Sequence, residues 1–261
     1  MSGRVDDAHA AALVTIELSL PVVCDGVRLN AGAVAPEDPI GTAVLIHGIP
    51  TVTPDPDDPS YPGLARDFAE AGWTGVWANL RGAYGSGGYF SIEGWVRDIR
   101  AVVDAARTLE DAQGRPLVLL GSSAGGAASA EAVRQGAHVD ALILLAAPAS
   151  WSSIEADPTA GLQRIVRDAG MEVGPDAQKD PSAWADEFKR VETQTSIAGV
   201  RVPTLIVHGT ADDVVPVGHA ERIAERANRA ELRIIEGAGH TLRRDPRVIE
   251  EVLHWLKTVT R

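Results

Sequence analysis

The chain has 261 residues, 45% hydrophobic and 23% charged, with a formal net charge of −12. This length suits one α/β domain, or one domain with a small insertion. The acidic balance, without a dense Lys/Arg cluster, argues against nucleic acid and anionic membranes as partners, and a lone cysteine, Cys24, excludes an intrachain disulfide and a cysteine-based metal site.

The start of the chain carries no targeting signal that we can identify. Residues 1–14 contain early acidic side chains and lack a basic stretch followed by an apolar run, as a signal peptide would have. No apolar run approaches the roughly 18 residues of a membrane-spanning helix. We therefore expect a cytoplasmic protein with a small-molecule partner.

Short apolar runs alternate with helical patterns along the chain. The patterns predict, in order, strands over 14–20, 22–30 and 42–48, a helix over 60–71, a strand over 73–80, a helix over 94–109, a strand over 117–121, a helix over 124–135, a strand over 141–148, a strand over 203–209, a helix over 217–228, a strand over 231–237 and a helix over 246–259. Repeated strand–helix units predict an α/β fold with a mostly parallel central sheet and helices on both faces. The acidic, proline-rich segment between the third strand and the first helix is interpreted as a solvated loop, with a place on the rim of a site as the alternative.

The segment 149–200 interrupts this alternation. It is polar, contains several prolines, and has two short helical patterns over 160–169 and 182–193. We interpret it as a small helical cap or lid over the carboxyl edge of the sheet, where such folds bind ligands. The predicted core domain then comprises 1–148 and 201–261.

Three aromatic residues mark an apolar face on this predicted cap. Trp151, Trp184 and Phe188 are candidates for substrate binding. The alternative is that they only pack the cap onto the core.

The stretch "GSSAGG" joins a predicted strand to a predicted helix. It lacks the lysine of a Walker phosphate loop and the spacing of a dinucleotide fingerprint. It does match G-x-S-x-G, with Gly121, Ser123 and Gly125, in which small residues allow a tight turn that exposes the serine. Ser122 lacks the glycine spacing, so Ser123 is the candidate nucleophile.

A serine hydroxyl needs a neighbouring base, itself oriented by a carboxylate. "LIVHGTADDVVP" is a buried strand followed by Asp212 and Asp213, and "IIEGAGHTL" is a strand followed by His240. We predict His240 as the base and interpret His47 and His208, each beside a glycine at a strand end, as structural or supporting groups.

The chain resembles the α/β-hydrolase superfamily, in its serine esterase and lipase-like branch, from about residue 14 to residue 260. The resemblance rests on "HG" at 47–48, "GSSAGG" at 121–126, "HGTADDVVP" at 208–216 and "GAGH" at 237–240, in that order. "RGAYGSGGYF" and "GSSAGG" are also similar to the catalytic domain of prolyl-oligopeptidase-like enzymes, although the chain is too short to include their propeller.

The resemblance implies roles for individual residues. The triad acid maps onto Asp212, with Asp213 as the alternative. The oxyanion donors map onto the backbone N–H groups of Ala124 and Ile49, because Pro50 has no N–H. No metal or organic cofactor is implied.

The predicted function is hydrolysis of small to medium carboxylic esters through an acyl-enzyme intermediate. The same triad could serve a peptidase, thioesterase or lactonase. A non-catalytic binding module on a hydrolase scaffold is the alternative of a different class. Apolar surface on the cap could serve as a homodimer contact.

Overall fold

The structure is a computed structural model that describes residues 15–50, 57–109 and 112–260. The first 14 residues, and most of the acidic loop before the first helix, lie outside these ranges. The described strands are β1 Thr15–Ser19, β2 Val22–Cys24, β3 Val27–Pro36, β4 Gly41–Ile46, β5 Trp73–Asn79, β6 Leu117–Ser122, β7 Ala141–Leu145, β8 Thr204–Gly209 and β9 Ala230–Ile235.

These strands form one sheet in the order β1-β3-β5-β4-β6-β7-β8-β9, and β2 pairs with β3. The neighbours from β5 through β9 run parallel, whereas β3 is antiparallel to β1, β2 and β5. The predicted mostly parallel sheet is therefore confirmed.

Helices cover both faces of the sheet. They are α1 Ser60–Glu70, α2 Ile92–Arg107, α3 Ala124–Arg134, α4 Ser152–Ala156, α5 Pro158–Gln163, α6 Pro175–Lys179, α7 Pro181–Arg190, α8 Thr193–Ser196, α9 Gly218–Arg226 and α10 Pro246–Val259. Helices α1 and α10 pack on one face, and α2, α3 and α9 pack on the other. None of the helices within the described ranges is both long and apolar enough to cross a bilayer.

The central strands read as continuous apolar runs because both of their faces are buried. Along β6, Leu117 and Leu119 face the α2 and α3 side, while Val118 and Leu120 face the α1 and α10 side. This two-residue alternation between two covered faces is what a parallel sheet inside an α/β domain requires.

The second strand, predicted over 22–30 with its start near the Asp25-Gly26 turn signal, is wrong as a single element. Asp25 and Gly26 form a turn inside it, with φ of 52° and 74°, and the chain reverses there into a β2–β3 hairpin. Positive φ at both central residues is the geometry of a tight hairpin turn. Strand β3 then runs on to Pro36.

Five helices, α4 to α8, lie between β7 and β8, where the insertion was predicted. Pro158, Pro175 and Pro181 each begin one of them, since the first helical position needs no N–H donor. The predicted helix over 160–169 is α5 followed by a π-helical turn, and the predicted helix over 182–193 ends at Arg190. The division into core and cap domains stays a prediction.

Because β4 to β9 are parallel, the loops that follow their carboxyl ends meet at one edge of the sheet. The "HG" loop follows β4, the "GSSAGG" turn follows β6, and the loops with Asp212 and His240 follow β8 and β9. The topology thus brings all four motifs to the same edge, as expected of doubly wound sheets.

Candidate active site

Ser123 lies between β6 and α3 in a strained backbone conformation, with φ 51° and ψ −126°. A Cβ at Gly125 would lie 2.0 Å from the His47 carbonyl oxygen, and one at Gly121 would lie 2.7 Å from the Gly125 carbonyl oxygen. The glycines are therefore required by close backbone approach on both sides of the serine. The turn presents the Ser123 side chain at the sheet edge.

Three predicted side chains meet in one hydrogen-bonded row. Ser123 Oγ lies 3.1 Å from His240 Nε2, and His240 Nδ1 lies 2.8 Å from Asp212 Oδ2. A carboxylate only accepts, so His240 Nδ1 carries the proton and Nε2 is free to accept one from the serine. The aspartate that contacts His240 is thus Asp212, whereas Asp213, the alternative, is exposed.

The carboxylate of Asp212 is held as an anion. Burial by itself raises its pKa, but hydrogen bonds from His208, His240 and the Val215 N–H outweigh this and hold the pKa of Asp212 well below its usual range. A permanent negative charge at this point can fix the ring of His240 and stabilise its protonated form.

The loop after β4 is oriented by His47. Its Nε2 accepts the Leu80 N–H at 2.9 Å, so its Nδ1 carries the proton and donates to the Gly48 carbonyl oxygen at 2.6 Å. In a planar trans peptide the C=O and N–H point in opposite directions, so the Ile49 N–H points away from the His47 ring.

Gly48 abuts the serine, since a Cβ there would lie 2.8 Å from Ser123 Cβ. Ile49 lines the cavity over Ser123. Ala124 is the first residue of α3, and its N–H is among those that a helix leaves without an internal partner. Ala124 thus follows the serine in the chain and Ile49 lines the cavity over it, and their role as oxyanion donors stays a prediction.

A cavity of about 410 Å³ opens over these groups. Its described lining residues are His47, Gly48, Ile49, Asp58, Ser60, Tyr61, Tyr84, Ser122, Ser123, His240, Thr241, Leu242, Arg243 and Arg244. Sequence reasoning missed Tyr61, Tyr84 and Arg243. Of these, only Arg243 carried a usable signal, since it follows the candidate base by three residues.

Arg243 forms part of the cavity wall through an ion pair with Asp58. Its Nη1 donates to Asp58 Oδ1 at 2.7 Å, its Nη2 also contacts that carboxylate, and its guanidinium lies 5.3 Å from the centre of the Tyr61 ring. The hydrogen bond from Arg243 lowers the pKa of Asp58, and burial raises the pKa of Tyr61 to about 12. Asp58, at the end of the predicted acidic loop, therefore lines the cavity with its negative charge paired to Arg243.

The three predicted substrate-binding residues, Trp151, Trp184 and Phe188, lie outside the cavity over Ser123. They are buried and contact one another, with ring centroids 5.1 Å apart for Trp151 and Phe188 and 4.8 Å apart for Trp184 and Phe188. Phe90, in the loop before α2, joins this cluster. None of the three lines the cavity over Ser123, and the ring contacts that they make are with one another and with Phe90.

Arg81, the first residue of "RGAYGSGGYF", holds this loop against α2. Arg81 is buried and forms a bidentate ion pair with the wholly buried Asp98 of α2, with a further contact to Asp25. Removing one partner of such a pair leaves an uncompensated buried charge. This loop carries Tyr84 to the cavity wall.

Comparison with known proteins identifies the chain at the family level. Residues 64–261 match the prolyl oligopeptidase family. No curated protein sequence matches the chain significantly.

Solved structures share the fold. Est1E from Butyrivibrio proteoclasticus, solved with ferulic acid bound, has a TM-score of 0.67 and 22% identity over 92% of this chain and 97% of its own. A thermophilic esterase from Thermogutta terrifontis has a TM-score of 0.68 and 17% identity over 95% of this chain and 100% of its own. An esterase from Exiguobacterium antarcticum has a TM-score of 0.65 and 18% identity over 92% of this chain and 98% of its own. The fold is the α/β-hydrolase fold, as the motifs predicted.

Proposed function

The chain belongs to the prolyl oligopeptidase family, and on that premise we propose that it is a serine hydrolase acting on small to medium carboxylic esters. The observation that carries the proposal is the hydrogen-bonded row of Ser123, His240 and Asp212 beneath an open cavity. A buried carboxylate, an imidazole and a strained serine in this order are the parts that nucleophilic acyl transfer needs.

In the first half-reaction, Ser123 Oγ attacks the ester carbonyl carbon while His240 Nε2 takes the hydroxyl proton. The carbonyl π electrons move to oxygen, and the resulting alkoxide accepts hydrogen bonds from the N–H groups of Ile49 and Ala124. Each such donor contributes roughly 3–4 kcal/mol to transition-state stabilisation. His240 then gives its proton to the leaving alcohol as the C–O bond breaks, which leaves an acyl-Ser123 ester.

In the second half-reaction, water attacks the acyl-enzyme as His240 takes its proton. The tetrahedral intermediate collapses, the proton returns to Ser123 Oγ, and the carboxylic acid leaves. Asp212 stays ionised throughout, where it keeps the His240 proton on Nδ1 and stabilises the imidazolium in both halves.

The size and lining of the cavity support a small to medium substrate. Its volume of about 410 Å³ lies within the roughly 300–1,000 Å³ of small-molecule sites. Tyr61 and Tyr84 offer aromatic surface, and Arg243 and Asp58 offer paired charge. Because a structural relative binds ferulic acid, a feruloyl ester belongs beside the aliphatic esters in the substrate panel.

Peptide hydrolysis is the second candidate, and the family match favours it. The same groups would cleave an amide if His240 protonates an amine leaving group. A peptidyl p-nitroanilide with proline before the scissile bond distinguishes the two activities when compared with a p-nitrophenyl ester of similar size.

The test is labelling with a fluorophosphonate probe and peptide mapping, together with p-nitrophenyl esters from acetate to decanoate. We expect labelling at Ser123 and the fastest turnover for short or medium acyl chains. Ser123→Ala should abolish both signals while leaving the unfolding transition in place. Ser129→Ala is the matched control, because Ser129 is a buried serine of α3 that does not line the cavity.

Labelling at Ser123 without ester turnover would reject ester hydrolysis and favour peptides or another acyl group. Folded protein that neither reacts with the probe nor hydrolyses any substrate would favour the binding-module alternative. Ester turnover that survives in Ser123→Ala would overturn the assignment of the nucleophile.

A further inference from the structure

His208 contacts the same oxygen of the candidate triad acid, Asp212 Oδ2, as His240 does. It lies in β8, is wholly buried, and places Nε2 2.7 Å from the Val215 carbonyl oxygen and 3.2 Å from Asp212 Oδ2. A carbonyl oxygen only accepts, so Nε2 carries a proton and shares it between the two oxygens. The other nitrogen, Nδ1, has no hydrogen-bond partner among the described residues. The neutral form with Nε2–H is therefore the one that satisfies these contacts.

Together, four donors hold the Asp212 carboxylate. Oδ1 accepts the N–H groups of Val214 at 3.0 Å and Val215 at 2.8 Å. Oδ2 accepts a hydrogen bond from His240 Nδ1 at 2.8 Å and has a longer contact with His208 Nε2 at 3.2 Å. Rotation of the carboxylate would break bonds on both oxygens. Without His208, however, Oδ2 would be held only by His240, the side chain that it has to orient.

We infer that His208 is a positioning residue, whose Nε2–H fixes Asp212 Oδ2 toward His240 Nδ1 and shares part of its negative charge. The inference rests on the proposed function, because the row of Ser123, His240 and Asp212 must act for its alignment to matter. A neutral donor suits this role. A charged one would compete with the protonated His240 for the same oxygen and weaken the support that the intermediate needs.

A third imidazole, that of His219, lies near His208 and Asp212. His219 of α9 accepts the Ala149 N–H on its Nδ1 at 2.9 Å. Burial lowers the pKa of His219, and Arg222 beside it lowers the pKa further. The charged groups recorded around His208 are thus the Asp212 carboxylate, in direct contact with it, and Arg222, whose Nη2 lies 3.0 Å from His219 Nδ1.

Three substitutions separate positioning from packing. His208→Phe keeps a planar ring and removes the donor. His208→Gln places an amide N–H near the former Nε2, whereas His208→Asn places its amide near the unpartnered Nδ1. Thr193→Val is the control, because it removes another buried hydrogen bond, from Thr193 Oγ1 to the Pro148 carbonyl at 2.6 Å, in a residue that does not contact Asp212.

The measurements are kcat and KM for p-nitrophenyl acetate across pH, the rate of inactivation by a fluorophosphonate, and the low-field proton resonance of the His240–Asp212 hydrogen bond. For His208→Phe and His208→Asn we expect kcat to fall about 10- to 100-fold, the effect of losing one hydrogen bond to a charged group, with KM unchanged. The acid limb of kcat/KM should move to higher pH, because Asp212 then presents more of its charge to His240. His208→Gln should restore the wild-type profile and resonance.

Two results would overturn the inference. One is a His208→Phe enzyme with the wild-type acid limb and low-field resonance. The other is a His208→Gln enzyme as impaired as His208→Asn, which would mean that only packing matters. If His208→Phe does not fold, the comparison of the Gln and Asn variants still tests whether the donor at Nε2 is needed. Failure of the proposed function gives a different result, because the wild-type protein itself would then show neither labelling nor turnover. The low-field resonance can still be measured in that case, since it needs no substrate.

Discussion

Ser123, Tyr84 and Ser60 share a positive φ, which residues with a side chain rarely adopt. Their φ values are 51°, 47° and 56°, and all three line the same cavity. Strain of this kind persists where the surroundings determine it and is concentrated at functional sites. At the residue scale, the cavity over Ser123 is therefore marked by its backbone as well as by its side chains.

The adjacent aspartates provide a residue-scale prediction. Asp212→Asn should lower kcat on the order of 10⁴-fold, because a neutral amide can no longer hold the proton of His240 on Nδ1 or stabilise the imidazolium. Asp213→Asn is the matched control, one position away on the same loop and exposed. Steady-state ester hydrolysis and thermal unfolding of both variants provide the comparison.

If Asp213→Asn were the impaired variant and Asp212→Asn the active one, the pairing that the geometry supports would be wrong. Equal losses in both, accompanied by lowered unfolding temperatures, would point to loop folding rather than to the acid.

At the element scale, the strand-to-helix turn depends on distances between backbone segments. Gly125 in α3 contacts the carbonyl of His47 at the end of β4, so two neighbouring parallel strands and one helix converge there. A substitution at this point acts on three elements at once.

Gly125→Ala should therefore displace the turn, since its Cβ would lie 2.0 Å from a backbone oxygen that cannot move without moving β4. We expect loss of fluorophosphonate labelling and a marked fall in the unfolding temperature. Gly218→Ala serves as the control. It begins α9 at a negative φ, and its Cβ would meet nothing closer than 3.9 Å. A Gly125→Ala protein with wild-type labelling and stability would contradict the close approach.

At the scale of the whole molecule, His47 couples folding to pH. Burial lowers the pKa of His47 from 6.5 to about 4, although its bond to Gly48 opposes this. The unfolded chain then binds a proton that the folded chain does not. Stability must fall as the pH drops through the window from 6.5 to about 4, by roughly 3 kcal/mol at 1.36 kcal/mol per pH unit.

His47→Gln should remove that part of the pH dependence and lower stability at neutral pH. The measurement is the free energy of unfolding in urea between pH 4 and 7.5. The control is His254→Gln, because His254 is an exposed histidine of α10. Asp58 and Asp212 do not interfere, because their lowered pKa values give stability that is present above the ordinary 3.8 and lost below it. An unchanged slope in His47→Gln would show that His47 does not titrate as its burial implies.

Local sequence was sufficient for the sheet, the helices on both faces, and the place of Ser123, His240 and an aspartate at strand ends. The reason is that apolar periodicity, glycine spacing and strand–loop order are set within a few residues of each other, and parallel strands bring their carboxyl ends together. The hairpin at Asp25 and Gly26 was the exception. The turn signal there predicts the start of one strand, whereas the structure has a strand on each side of the turn.

Only the tertiary structure decided which aspartate faces His240, what Trp151 and its neighbours contact, and which side chains line the cavity. These depend on how distant segments are oriented, and an aromatic stripe looks the same in sequence whether it packs a core or a substrate. The same holds for His208, which the sequence predicted only as a structural or supporting group. Its contact with Asp212 exists because the loop after β8 turns back on its own strand, and the direction of such a turn is set by the packing around it.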